Sequence, residues 1–175
     1  MNIKGTKSEA NIKKALFGES LARNKYTYYA QKAKEEGNEE MAHLFERMAT
    51  NEMNHAKIWF KVINQIGTTN DNLKEAASGE YDEWTSMYPS FAQTAREEGL
   101  EELAMMFEKV AEIEKDHERQ FLLAFAKNAN IKKEETKTKK GYRCMFCGAS
   151  FEHRPDVCPV CQAIGSFEEC EIKAD

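Results

Sequence analysis

The chain has 175 residues, 31% of them charged and 10% aromatic, which suits one sizeable core plus a small appendage and argues against disorder. A formal charge of −5 and a pI near 5.5 disfavour non-specific nucleic-acid binding, and no apolar run approaches the length needed to span a bilayer. The segment from Met1 to Glu9 lacks the apolar stretch of a secretion signal, so the cytoplasm is the expected compartment. Thiols stay reduced there, and clustered cysteines then point to metal rather than disulfides. All five cysteines fall between Cys144 and Cys170.

Residues 7 to about 129 read as helix with few interruptions. Thr6 followed by Glu9 has the form of a capping box. A first helix carries Ile12, Leu16, Glu19, Ala22, Tyr26, Tyr29 and Ala33 at helical spacing, and Gly37 ends it. A second carries Met41, Phe45, Met48, Glu52, His55, Trp59, Ile63 and Ile66, and stops at Gly67. Thr68 to Asn72 is turn-like. A third carries Leu73, Ala76, Glu80, Glu83, Met87 and Phe91 up to Gly99, with Pro89 expected to kink or break it. A fourth carries Leu103, Phe107, Val110, Glu114, His117, Phe121 and Phe125. Four amphipathic helices with short connections predict an antiparallel bundle over residues 1–129. The polar stretch 130–140 reads as a linker. Residues 141–175 read as a turn-rich module that needs something other than a core to hold it together.

The chain repeats itself. The segment YAQKAKEEGNEEMAHLFERMATNEMNH from Tyr29 aligns without gaps on FAQTAREEGLEELAMMFEKVAEIEKDH from Phe91, at an offset of 62 residues. Gly37 then falls on Gly99, Phe45 on Phe107, Glu52 on Glu114 and His55 on His117. Upstream, Glu19 falls opposite Glu80 and Tyr26 opposite Tyr88. The chain reads as a duplicated helix hairpin, each half supplying one Glu from its first helix and a Glu-x-x-His from its second.

Residues three apart on a helix share a face, so Glu52 with His55, and Glu114 with His117, can hold one ion together. These four, with Glu19 and Glu80, lie on the inward apolar stripes. Several carboxylates at one level of a core require cations. One Glu from each of two helices plus Glu-x-x-His from the other two is the di-iron or di-manganese bundle pattern. Glu19, Glu52, Glu80 and Glu114 balance two divalent ions in charge. Glu83, one turn after Glu80, is a fifth carboxylate suited to harder ferric iron. Glu40 with His43 has the same spacing but falls off the stripe, and His43 is expected at the surface. Tyr26 and Tyr88 are core aromatics whose hydroxyls are candidates for hydrogen bonds to ligating carboxylates.

Cys144-x-x-Cys147 and Cys158-x-x-Cys161 form a four-sulfur tetrahedral site suited to zinc or iron. Spacing alone favours zinc; the neighbouring di-iron reading favours iron, because a redox centre must be re-reduced and zinc cannot change oxidation state. Cys170 is left as a spare thiol, and His153 is not counted as a ligand.

With these residues in place the whole chain resembles the rubrerythrin family. The likeness lies in the FGES containing Glu19, the ARNKY ending at Tyr26, both Glu-x-x-His pairs, Gly79-Glu80-x-x-Glu83, the MYPSF around Tyr88 and the two Cys-x-x-Cys pairs. The resemblance implies a mainly α fold, a ferritin-like four-helix bundle followed by a small rubredoxin-like metal-bound domain. It implies di-iron ligands at Glu19, Glu52, His55, Glu80, Glu83, Glu114 and His117, and a rubredoxin-type iron on Cys144, Cys147, Cys158 and Cys161. It further implies a peroxidase that reduces hydrogen peroxide to water in oxidative-stress defence. Electrons would come from NAD(P)H through a separate flavoprotein reductase or a rubredoxin. The expected assembly is a homodimer, with or without helix exchange between subunits, in which the cysteine-bound iron of one subunit faces the di-iron site of the other. Two rivals remain: ferritin-like ferroxidase and iron storage, which needs a hollow assembly of many subunits, and a colourless zinc-ribbon interaction module.

Overall fold

The structure is a computed structural model that describes residues 3–63, 66–129 and 138–173. Helix α1 spans Lys7–Glu35. Its N-cap is Thr6, whose hydroxyl accepts from the Glu9 N–H at 3.1 Å. The Glu9 carboxylate accepts from the Gly5 N–H at 2.6 Å, so the expected capping box closes one residue further upstream. Helix α2 covers Glu39–Ile63. Residues 64 and 65, which the sequence assigns to the same helix, lie outside the described residues.

Helix α3, Thr69–Asp82, begins where the sequence suggests a turn. Thr68 is the N-cap of a complete capping box: its hydroxyl accepts from the Asp71 N–H, and the Asp71 carboxylate accepts from the Thr68 N–H. Thr, Asn and Asp favour turns and N-caps through the same hydrogen bonds to nearby main chain, so composition alone cannot separate the two. Glu83–Met87 continues as a π-helical segment, and α4 follows over Tyr88–Glu97. The Tyr88 N–H reaches back five residues to the Glu83 carbonyl. This wider turn accommodates Pro89, which has no N–H and whose ring crowds the preceding turn of an α-helix. The rod is therefore re-registered rather than broken. Helix α5 runs over Glu101–Asn128. With α3, the π segment and α4 continuous, the described residues form four helical rods.

Two compact units emerge, Met1–Ile66 and Gly67–Asp175. The first is the hairpin α1–α2. The second contains the hairpin of α3–α4 against α5, together with the C-terminal module. The hairpins repeat each other in three dimensions. Each turns on a left-handed glycine, Gly37 at φ 71° and Gly99 at φ 77°. Each turn is locked by a 2.8 Å main-chain bond, Asn38 N–H to Ala33 and Leu100 N–H to Ala95. Ala30, Ala33 and Ala42 are buried in the first hairpin, and their counterparts Ala92, Ala95 and Ala104 in the second. These small side chains let the paired helices approach closely. Behind them, Tyr29 meets Phe45 with ring centroids 5.5 Å apart, and Phe91 meets Phe107 at 5.6 Å. An ion pair crosses each hairpin at matched positions, Lys34 with Glu46 and Arg96 with Glu108.

The C-terminal module is a three-stranded antiparallel sheet in the order β2–β1–β3. Its strands are β1 (Thr138–Cys144), β2 (Ser150–Phe151) and β3 (Phe167–Lys173). Of the expected linker, residues 130–137 lie outside the described residues. The class is the expected one, mainly helical and then a small metal-binding β module. No helix among the described residues is long and apolar enough to cross a membrane.

Candidate metal centres

Two of the predicted ligand groups assemble within the helical hairpins. In the first unit, Glu19 from α1 meets Glu52 and His55 from α2, with one ligand atom of each within 4.8 Å of the others. In the second, Glu80 from α3 meets Glu114 and His117 from α5 under the same limit. The internal distances match. His55 Nδ1 lies 2.8 Å from Glu52 and 3.8 Å from Glu19. His117 Nδ1 lies 2.6 Å from Glu114 and 4.0 Å from Glu80. A duplicated sequence has produced a duplicated three-ligand half-site.

The ligand carboxylates are partly shielded from water. The side chains of Glu52 and Glu114 are only 18% and 14% exposed. A hydrogen bond between Glu19 and Glu52, reinforced by burial, holds Glu19 above the ordinary carboxylate range. The same bond and His55 hold Glu52 below it. Burial first, then the charge of Glu114, raises Glu80. Burial and the charge of Glu80 raise Glu83. Carboxylates gathered in this way, each group with an imidazole, are costly without cations and natural donors for hard or borderline metal ions. The donor set therefore fits a di-iron centre.

Glu83 lies beside the second half-site, within the electrostatic reach of Glu80 and His117, but outside both three-ligand groups. It is the first residue of the π-helical segment. Such wide turns recur at functional sites because they re-aim the side chains that follow. Tyr88 feels the same cluster: burial and the charges of Glu114, Glu83 and Glu80 push its phenol up. Tyr26 stacks in the aromatic group with Tyr29 and Phe45. Among the described residues neither tyrosine hydroxyl hydrogen-bonds a ligand carboxylate. His43 is exposed and pairs with Glu46 at 3.2 Å, as expected of a surface histidine. Trp84 donates its indole N–H to Glu118 at 2.8 Å.

The four cysteines converge as well. Cys144, Cys147, Cys158 and Cys161 bring their sulfurs within 4.8 Å of one another, with Cys144–Cys161 and Cys147–Cys158 each at 3.7 Å. The two Cys-x-x-Cys loops are alike. The Gly148 N–H donates to the Cys144 carbonyl and the Gln162 N–H to the Cys158 carbonyl, both at 2.9 Å. The Cys144 and Cys158 N–H groups donate to the Ala149 and Ala163 carbonyls, both at 2.8 Å. Burial opposes ionisation of Cys158, but main-chain N–H groups of Cys161 and Val160 donate to its sulfur and bring it down to about 7. Such N–H···S bonds favour the thiolate that a metal needs. Cys170 stays apart from the cluster, opposite Gly141 in the sheet, and His153 is exposed.

Residues 10–125 match the family model for rubrerythrin. The chain belongs to the rubrerythrin family. Rubrerythrin-1 of Clostridium acetobutylicum is 39% identical, the match covering 91% of this chain and 92% of the relative. Rubrerythrin of Porphyromonas gingivalis is 38% identical over 91% of this chain and 88% of its own. Rubrerythrin of Nitratidesulfovibrio vulgaris is 39% identical over 91% and 92%. Rubrerythrins are di-iron oxidoreductases, and this chain carries the carboxylate and histidine donors for the iron pair and the four cysteines for a rubredoxin-type iron.

The cysteine module lies against α5 of its own chain. Ile113 is buried among Cys144, Ala149 and Cys158. Ser150 donates its hydroxyl to Asp116 at 3.2 Å. Gly148 abuts the imidazole of His117. Positions 148 and 117 are far apart in sequence, and no periodicity or spacing signals their contact.

Proposed function

We propose that this protein is a non-haem iron peroxidase that reduces hydrogen peroxide to water, drawing electrons through its four-cysteine iron. The observation that carries the proposal is the pairing of two matched Glu/Glu/His half-sites with a redox-capable four-sulfur site in one chain. When bound, the iron pair supplies the two electrons that peroxide reduction consumes, and the cysteine-held iron supplies the couple that replaces them. Glu19, Glu52, His55, Glu80, Glu114 and His117 would hold the pair, and Glu83 would be a further carboxylate available to oxidised iron in place of His55. Tyr88, in the field of Glu114, Glu83 and Glu80, stands beside the ligating carboxylates of the second half-site. Residues 1–129 form the ferritin-like part, and the rubredoxin-like part begins with β1 at Thr138, which shortens the linker to 130–137. The electron donor is a rubredoxin or an NAD(P)H-dependent flavoprotein, and the compartment is the cytoplasm, in keeping with five unpaired cysteines.

The two half-sites must meet to hold an iron pair, and the proposed assembly is a homodimer. The homodimer forms with or without exchange of hairpins between the two copies. Large apolar side chains left exposed on both units, among them Phe17, Ile58, Met106 and Leu122, suit such a partner.

Anaerobic peroxide consumption, coupled to NADH oxidation through an added flavoprotein reductase, tests the reading. Iron-loaded protein should consume peroxide, and Glu83→Ala should slow it by about tenfold while retaining its iron. An unchanged rate in Glu83→Ala removes the exchange role. Absence of consumption by the parent protein removes the peroxidase assignment.

A further inference from the structure

The two hairpins differ in register at one place. From Glu19 to Glu80 the repeat offset is 61 residues, but from Tyr26 to Tyr88 it is 62. The second half thus carries one more residue between these marks. Helix α1 passes through the region as unbroken α-helix. The second half instead forms the π turn Glu83–Met87, whose closing bond reaches one residue further back than an α-helical bond and so takes up the extra residue. Such turns are rare inside helices and need support from outside. Here the support comes through Trp84, the second residue of the turn. Its indole N–H donates to Glu118 of α5 at 2.8 Å, Lys115 Nζ of α5 lies 5.0 Å from its ring centroid, and Tyr81 meets it edge-on at 5.6 Å. A half-buried indole seeks a partner for its N–H in any protein, and that alone would explain one hydrogen bond. The first hairpin serves as the control. There Arg23, Met53 and Ala56 stand where the second has Trp84, Lys115 and Glu118, and Ala22 stands where it has Glu83. The hairpin with neither the π turn nor the fifth carboxylate also lacks all three members of this clasp.

We infer that Trp84 is a positioning residue: clasped by Glu118 and Lys115, it holds the π turn against α5 and so fixes the place of Glu83 beside Glu80 and His117. Consecutive residues leave a helix on adjoining faces, so seating the Trp84 ring on α5 sets the rotation of the turn and with it the direction of Glu83. The anchor is well placed for this. Lys115 follows Glu114 in the chain and Glu118 follows His117, so the clasp grips the same stretch of α5 that supplies two donors of the half-site. Glu83 and those donors are thereby held in one frame. The consequence for metal binding rests on the reading of Glu83 as a carboxylate available to oxidised iron.

Hydrogen exchange of the full-length, iron-loaded protein reads the turn directly, because the Tyr88 N–H closes it on the Glu83 carbonyl. Trp84→Phe keeps an aromatic ring beside Lys115 but removes the N–H. Exchange at Tyr88 should then quicken about tenfold, the worth of one hydrogen bond to a charged group, while Ala95 in α4 exchanges as in the parent. The near-ultraviolet absorption of the oxidised iron pair should change in the same sense as in Glu83→Ala. The double variant should change no further than Glu83→Ala alone, whereas a support that did not act through Glu83 would add to it. If Trp84→Phe fails to fold, Glu118→Ala breaks the same bond from the other side, and Glu118→Gln, which keeps an acceptor, should restore parental exchange. Parental exchange at Tyr88 in the variant that folds, or additive spectral changes in the double variant, overturns the inference. An unchanged spectrum in Glu83→Ala overturns the reading of Glu83 and, with it, the consequence for metal binding. Quickened exchange with the shared spectral change in a protein that ignores peroxide supports the clasp and removes only the peroxidase reading.

Discussion

Replacing Cys158 by Ser should abolish the ferric–thiolate colour and cut peroxide turnover at least about a hundredfold, while the iron pair stays bound. Cys158 is fully buried, and its neighbours' main-chain N–H groups lower its thiol to about 7. A serine hydroxyl in that place remains protonated and offers the metal a poor donor. The loss is structural as well as electronic. The buried cluster around Cys158 contains only Ile113, Cys144 and Ala149, with a few half-buried neighbours such as Val160 and Phe167. A module with so small a core depends on metal ligation, which is worth on the order of 10 kcal/mol in comparable four-ligand domains. Iron analysis and the visible spectrum measure the first loss, and the coupled peroxide assay the second. Parental turnover without the thiolate colour would show that electrons reach the iron pair by another route.

Stripping the metal should lower the melting temperature by on the order of 10 °C, from mass action at a tightly held site in a chain of this size. The metal-free protein should also become more stable as the pH is lowered from neutrality toward about 5. The sign follows from the half-site in the second unit. Burial and neighbouring charge hold Glu80 and Glu83 above the ordinary range, so the folded state binds their protons more readily than the unfolded chain does. Stability then rises as pH falls through the raised values toward the unfolded one. Glu46 and Asp71 carry the opposite sign, since hydrogen bonds from Lys34 and Thr68 depress them. Their contribution is present above the ordinary carboxylate value and is lost as the pH falls through their lowered ones. The metal-free protein should therefore be most stable in mild acid, whereas bound cations flatten the dependence between neutrality and mild acid. Calorimetric scans of both forms across that range measure the difference. Equal melting of stripped and loaded protein would contradict the clustering of carboxylates as a metal site.

The repeat made much of this legible in advance. An offset of 62 residues places Glu52 on Glu114 and His55 on His117, and the folded hairpins reproduce that match in their ligand distances and aromatic contacts. Spacing within a helix is a local property, and sequence reports it well. The paired bridges Lys34–Glu46 and Arg96–Glu108 were within reach of the same alignment, because each joins repeat-equivalent residues. The π-helical segment was not. Pro89 signals a disturbance, but whether the rod breaks, kinks or widens depends on how the preceding turn re-registers, which side-chain periodicity does not encode. The start of α3 was hidden because Thr68 and Asp71 serve turns and caps through the same bonds. The seat of Gly148 on His117 was hidden for a different reason: it joins two modules whose sequences carry no common period.

Rapid anaerobic mixing of fully reduced protein with hydrogen peroxide, and separately with dioxygen, tests through the ferric–thiolate colour whether the proposed peroxide-reducing iron pair is coupled to the cysteine-held iron. Colour should return rapidly with peroxide and slowly with dioxygen. Colour that never returns, or that returns faster with dioxygen, would contradict it.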